Sequence, residues 1–351
     1  MSSAKNRVVT KGPVSLFKAY LIDSFLWGYS LLVFYKVIYQ KIILMERYPE
    51  FNWGQPLKSL AIGAALSLIL FYGKNLSVGK YFVGIDDKSE SRPFLKTVVG
   101  YLILFHLFLT ILASFLISQI SFSEFFSSEG LEGAHRIFSA LFHPKWEILE
   151  EGIFAAVETA YMAFIATIIA IPFAFVVSFF ASRNIMANSK IGMVIYSTIR
   201  ITLNVTRSIE PLVWAIIFSV WVGIGPFSGM LALCLHSFAS LIKLYSEQIE
   251  SVDEGPIEAM MSTGAHPVQV IWFGVVPQVI LPFLSFTIYR WDINVRMATI
   301  IGLVGGGGIG TMIMQYQGLA KWNEVGMLVI LIAIIVWAMD SFSSKIREAI
   351  K

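Results

Sequence analysis

Eight polar residues stand inside two long apolar runs, and their types and spacing suit anion chemistry. Arg200, Asn204, Arg207 and Glu210 punctuate one run; Arg290, Asp292, Asn294 and Arg296 punctuate the other. Spacings of four and then three put Arg200, Asn204 and Arg207 on one helical face. A charge held in hydrocarbon costs at least ~2.5–3.5 kcal/mol on insertion scales, so these groups must face a protein interior or a watery path. Guanidinium groups so placed can take a tetrahedral oxyanion through paired hydrogen bonds. The same residues can equally be internal ion pairs, with Glu210 or Asp292 neutralising a neighbouring arginine. The pathway candidates are therefore Arg207, Glu210, Arg290, Asn294 and Arg296.

Other chemistries find no support. His106, His135, His143, His236 and His266 have no metal-ligand spacing, and Cys234 is the only cysteine, which excludes a disulfide or a cysteine-based metal site within one chain. No nucleophile elbow or convincing acid pair is present. Gly305, Gly307 and Gly310 satisfy a G-x-G-x-x-G spacing, but a dinucleotide site needs a strand before it and an acid about twenty residues on. Here the run of Gly305, Gly307, Gly308 and Gly310 is expected to extend an apolar span, with small residues permitting close helix packing or an unwound stretch beside a cavity. "YGKN" and "VGKY" lack the Ser or Thr of a phosphate-binding loop, so this chain offers no ATP or Mg site of its own.

The elements that carry these residues are set by composition. The chain has 351 residues, of which 56% are hydrophobic and 14% charged, at mean hydropathy +0.72; soluble domains carry about 25% charged residues. Apolar runs of about twenty residues match a ~30 Å hydrocarbon core. The fold class expected is all-α, a polytopic integral membrane protein of about eight transmembrane helices, near 19–44, 57–73, 94–117, 153–182, 191–223, 226–247, 277–301 and 325–343. With the N-terminus inside, about fifteen Lys and Arg residues fall on the cytoplasmic side and about five outside. That bias predicts both termini in the cytoplasm. The basic N-terminus reads as a retained end rather than a cleaved signal. A net charge of +3 gives no reason to expect nucleic acid.

Residues 251–278, "SVDEGPIEAMMSTGAHPVQVIWFGVVPQ", are far longer than a turn between spans requires. Gly255-Pro256 suits a helix start, Glu258 is expected in its first turn as a capping acid, and Gly264 suits the left-handed residue that ends it. Pro267 then opens a second helix that runs to Pro277. Two short helices joined at a glycine make a rigid knob on the cytoplasmic side.

Glu258-Ala259-Met260, then Gly264, then Val276-Pro277 resembles the EAA loop of ABC importer permeases, with Met260 and Val276 as mild departures. Tyr289, Arg290, Asn294, Val295, Arg296, Ala298 and Thr299, followed by Gly307, Gly308, Ile309 and Gly310, narrow the resemblance to permeases of the phosphonate/phosphite type. "TRSIEPLVWAI" and "VGIGPFSGMLAL" extend it over about residues 140–350. The resemblance implies a five-helix permease core of the type I importers over 153–351. Its 251–278 loop would dock on cytoplasmic ABC ATPase subunits, which hold the ATP and Mg, through Glu258, Ala259, Gly264 and Pro277. It further implies an extracytoplasmic substrate-binding protein, a homodimer or pseudo-symmetric dimer, and residence in the cell inner membrane. The implied function is import of phosphonate, phosphite or a related oxyanion. Permeases for methionine or phosphate would share the loop, and a secondary carrier would need no ATPase. Residues 1–117 form an expected three-span extension; "LSVGKYFVGIDDKSESRPFLKTVVGYL" and Asp23 partly resemble an RDD-type membrane domain. An extracytoplasmic linker is expected over 118–152.

Overall fold

The computed structural model describes residues 13–43, 54–70, 77–83, 97–118, 121–187 and 189–350. Most of the RDD-like stretch, 84–96, and many of the N-terminal basic residues lie outside the described residues. All regular structure in the described residues is helical. The chain divides after Ser127 into two compact units.

The first unit contains α1 (Pro13–Val33), continued by π-helical turns over Phe34–Ile43, then α2 (Gly54–Leu68), α3 (Val78–Phe82), α4 (Val98–Ser118) and α5 (Phe122–Phe125). Close packing of α1 on α2 follows from Gly28 and Gly63, since a Cβ on Gly63 would stand 2.3 Å from the Gly28 nitrogen. Asp23 is buried, accepting from Ser77 Oγ at 2.5 Å and from the Gly79 amide at 2.9 Å. A buried carboxylate is tolerable only with such donors; here they pin the short α3 against α1.

The second unit holds α6 (Ser128–Phe142), α7 (Leu149–Phe180), α8 (Arg183–Met186), α9 (Lys190–Ser208), α10 (Pro211–Val222), α11 (Pro226–Glu250), α12 (Glu254–Ser262), α13 (Pro267–Val270), α14 (Val276–Gly302), α15 (Gly308–Gly318) and α16 (Trp322–Ile350). Helix α6 and the turn at Trp146–Ile148 pack on α16, so the linker expected over 118–152 is in part a piece of this unit. There Lys145 meets Glu147 at 3.2 Å and Glu324 at 3.5 Å, and those carboxylates, Glu147 foremost, hold its ammonium above the usual lysine range.

The centre is the α7–α11 seam. Ala163, Ala166, Ala170 and Ala174 on α7 are buried in the same clusters as Ala232, Leu233, Ala239 and Ile242 on α11. Small residues bring the backbones together, so dispersion between close helices replaces the hydrophobic drive that lipid cannot supply. Tyr245 stacks on Phe283 at 3.9 Å between ring centres and meets Thr287 Oγ1 at 2.5 Å, which ties α11 to α14.

Among the described residues six helices are long and apolar enough to cross a membrane, or seven with one broken span, where about eight are expected. The segment expected at 57–73 is described only to residue 70, as α2 and two π-helical residues, and its last three residues lie outside the described residues. Two expectations are corrected. The span expected over 191–223 is broken, because α9 and α10 meet at 90°. Glu210 is extended (φ −60°, ψ 144°), as the residue before a proline prefers, and Pro211 restarts the helix. Finally, Gly305–Gly310 does not prolong α14. That helix ends at Gly302, and Gly305, Gly307 and Gly308 take φ of +87°, +83° and +68°, turning the chain back into α15. A Cβ on Gly302 would lie 2.7 Å from Gly310 Cα, so the reversal demands glycine on both arms.

Candidate functional site: a helical hairpin and a buried polar node

The hairpin is built from capping residues outward. Asp253 caps α12, its Oδ1 accepting from the Gly255 amide at 3.1 Å. Helix α12 therefore starts at Glu254, and Glu258 falls in its second turn rather than capping the first; it is exposed and no hydrogen bond reaches it. Gly264 follows the end of α12 with φ +76°, its amide donating to Met261 O at 3.0 Å. His266 then caps α13 in a reciprocal box, with its own amide on Gln269 Oε1 at 2.9 Å. Pro277 lies at the start of α14 and Ala259 is exposed on α12.

Gln278 was not singled out in the sequence, yet it locks the knob to its root. Its Oε1 accepts from the Asp253 amide at 3.0 Å, and its Nε2 donates to Asp253 O at 3.2 Å and Gly274 O at 2.7 Å. Val252 and Ile257 reach down to the cluster around Tyr245, Val275 and Val279. Above that root Met261, Val268, Trp272 and Phe273 are each more than half exposed. Of these, Val268, Trp272 and Phe273 lie in the Pro267–Gly302 stretch that is long and apolar enough to enter a membrane, while Met261 lies on α12 outside it.

The intramembrane polar residues fall into separate groups. Arg200 is spoken for: it donates to Ala181 O at 2.9 Å and meets Glu250 at 2.7 Å. Arg296 holds Asp292 at 2.7 Å and also contacts Asp340 on α16. Arg207 is half-buried, Glu210 is exposed at the start of α10, and neither has a hydrogen-bond or ion-pair partner through its side chain among the described residues. Arg290 and Asn294 share Ser237: Arg290 Nε donates to its Oγ at 3.2 Å and Asn294 Nδ2 at 2.7 Å, while Nδ2 also donates to Thr167 Oγ1 at 2.8 Å. His236 precedes Ser237 on α11, and its Nδ1 is buried. Ser237 and Thr167 carried no signal of their own, since single hydroxyls in apolar helices usually bond their own backbone.

Gly305, Gly307 and Gly308 line a cavity of about 570 Å³, together with Glu151, Glu158 and Gln315, at the end of the unit where α7 begins. Gly308 also sits against Thr159, whose hydroxyl accepts from the Ile309 amide at 2.9 Å. Gly310 packs on Gly302.

Residues 184–350, which span the hairpin and Ser237, Arg290 and Asn294 of the node, match the family of binding-protein-dependent transport system inner membrane components. A phosphite transport system permease of Stutzerimonas stutzeri is 38% identical over 195 residues, 56% of this chain and 70% of that protein. The chain belongs to this family. A second, putative phosphite transport permease of the same organism is 33% identical over 234 residues, 67% of this chain and 81% of its own length. A phosphate-import permease of Mycolicibacterium smegmatis is 29% identical over 267 residues, 75% of this chain and 48% of that protein. Among solved structures, the inward-facing methionine ABC transporter MetNI aligns at TM-score 0.49 and 20% identity, over 57% of this chain and 95% of that one. By its family, the protein is a multi-pass inner membrane component of a binding-protein-dependent transport system.

Proposed function

We propose that the chain is the membrane-spanning permease of an ABC importer for phosphite, phosphonate or a related oxyanion, driven by separate ATPase subunits. The observation that carries this reading is the knob at 251–278, rooted by Gln278 and bearing exposed Met261, Val268, Trp272 and Phe273, in a chain 38% identical to a phosphite permease. Glu258, Ala259, Gly264 and Pro277 lie on or beside that surface and form the coupling contact. ATP and Mg sit on the partner ATPase. Two copies, or a pseudo-symmetric pair, enclose the path, and an extracytoplasmic binding protein delivers the anion. Both termini lie in the cytoplasm, which puts the knob on the ATPase side. Closure of the ATPases moves the two knobs as rigid bodies and re-orients the spans. Residues 1–117 are an added module outside this core, with 118–152 leading to it.

The test is reconstitution in liposomes with the cognate ATPase and binding protein. ATP-dependent uptake of phosphite or methylphosphonate is the expected result. Uptake that persists without ATP would make the protein a secondary carrier. Inorganic phosphate is the second substrate to test, because the phosphate-import relative matches 75% of the chain.

A further inference from the structure

Thr167, Ser237, Arg290 and Asn294 meet near the middle of α7, α11 and α14, and their hydrogen bonds can be counted atom by atom. Thr167 Oγ1 donates to Ala163 O at 2.7 Å, so it can only accept from Asn294, which fixes the amide with Nδ2 toward it. The second Nδ2 proton goes to Ser237 Oγ, which also accepts from Arg290 Nε. Both lone pairs of Ser237 are then used, and its own proton is left to donate. Arg290 Nη2 is a buried donor with no partner, Asn294 Oδ1 a buried acceptor with none, and His236 Nδ1 is likewise unpaired. Arg290 is only 7% exposed and Asn294 fully buried.

Charge adds a second argument. Arg200 and Arg296 are both matched by carboxylates, whereas no carboxylate lies within ion-pair distance of Arg290 among the described residues. Buried cations without a counter-ion are costly unless something supplies one.

We propose that this node is a relay site for a tetrahedral oxyanion that keeps at least one hydroxyl, as the phosphite and phosphonate monoanions do with one and the phosphate monoanion does with two. Arg290 Nη2 and the Ser237 hydroxyl donate to the anion's oxygens, and Asn294 Oδ1 accepts from its hydroxyl. Because Asn294 Oδ1 is an acceptor, a fully deprotonated sulfate or sulfonate leaves it facing another acceptor, so the node selects for a P–OH group. The inference rests on the proposed import of phosphorus oxyanions and assigns the residues that hold them.

The experiment uses the complete transporter, with ATPase and binding protein, in liposomes, and reads phosphite taken up per ATP hydrolysed. That ratio cancels differences in assembly. In Asn294→Asp the new carboxylate pairs with Arg290 in place of the anion, and the ratio is expected to fall about tenfold or more. Ser237→Ala removes a single hydroxyl and is expected to lower it about threefold to tenfold, which keeps the test decisive if Asn294→Asp does not assemble. A ratio equal to wild type in either variant overturns the relay site while leaving the import function standing. A wild-type transporter that hydrolyses ATP yet takes up neither phosphite, phosphate nor methylphosphonate overturns the import reading itself.

Discussion

Arg296 spans two helices, holding Asp292 one turn back on α14 and Asp340 on α16. Asp292 is only 3% exposed, so its carboxylate depends on that guanidinium. Arg296→Gln is expected to destabilise the protein by about 1–3 kcal/mol, below the 3–5 kcal/mol of a fully buried pair because the Arg296 side chain is half exposed. Adding Asp292→Asn should restore part of that loss, and thermal unfolding in detergent measures both. Little or no recovery in the double variant would mean that Asp292 is held by something other than Arg296. The i,i+4 spacing of Asp292 and Arg296 made this pair legible in the sequence. Its Asp340 member was not, because it comes from a helix 44 residues away. Nor did the chain reveal that Arg290 lacks an acid while Arg200 has Glu250: pairing across helices depends on rotation, which periodicity does not specify.

At the scale of elements, the hairpin was largely readable because its signals are local. Pro267 and Gly264 each act within one helical turn, and Gly264 adopts the φ of +76° its type invites. The one local error, Glu258 as the capping acid, arose because Asp253 two residues before Gly255 takes the cap first. Around Gly264 there is open space, since a Cβ would meet nothing within 4 Å. Substitution there therefore acts by backbone strain alone. Gly264→Asn, which tolerates the left-handed region, is expected to keep substrate-stimulated ATP hydrolysis within about twofold of wild type. Gly264→Val, β-branched and strained by about 1–2 kcal/mol or more, should reach the membrane but lose that stimulation. Equal stimulation in both variants would separate the bend from coupling. By contrast, the 90° break between α9 and α10 was read as one continuous span. Arg207, Glu210 and Pro211 interrupt the apolar run there; read as polar residues within one span, they instead mark a corner, as the extended backbone before Pro211 shows.

At the largest scale, the second unit joins a helical bundle, seamed along α7 and α11, to the hairpin at 251–278. The small residues of α7 and α11 let the bundle pack without loose joints, and Gln278 joins the knob to α14, so a push on one is carried to the other. That mechanical continuity is what an ATP-driven importer needs from its permease. The chain's membrane character and its hairpin were plain from composition and capping. For Gly305–Gly310 the sequence leaves two readings, close helix packing or an unwound stretch beside a cavity, because small residues permit both; the backbone takes the second at Gly305, Gly307 and Gly308, while Gly310 packs on Gly302. The most direct measurement is disulfide crosslinking between the knob and the cognate ATPase. With Cys234→Ser removing the only native cysteine, Val268→Cys is exposed at the tip of the hairpin and can be paired with single cysteines on the ATPase groove. The account predicts efficient crosslinking whose yield changes when ATP is added. Labelling of Val268→Cys from outside the cell, with no crosslink to the ATPase, would contradict it.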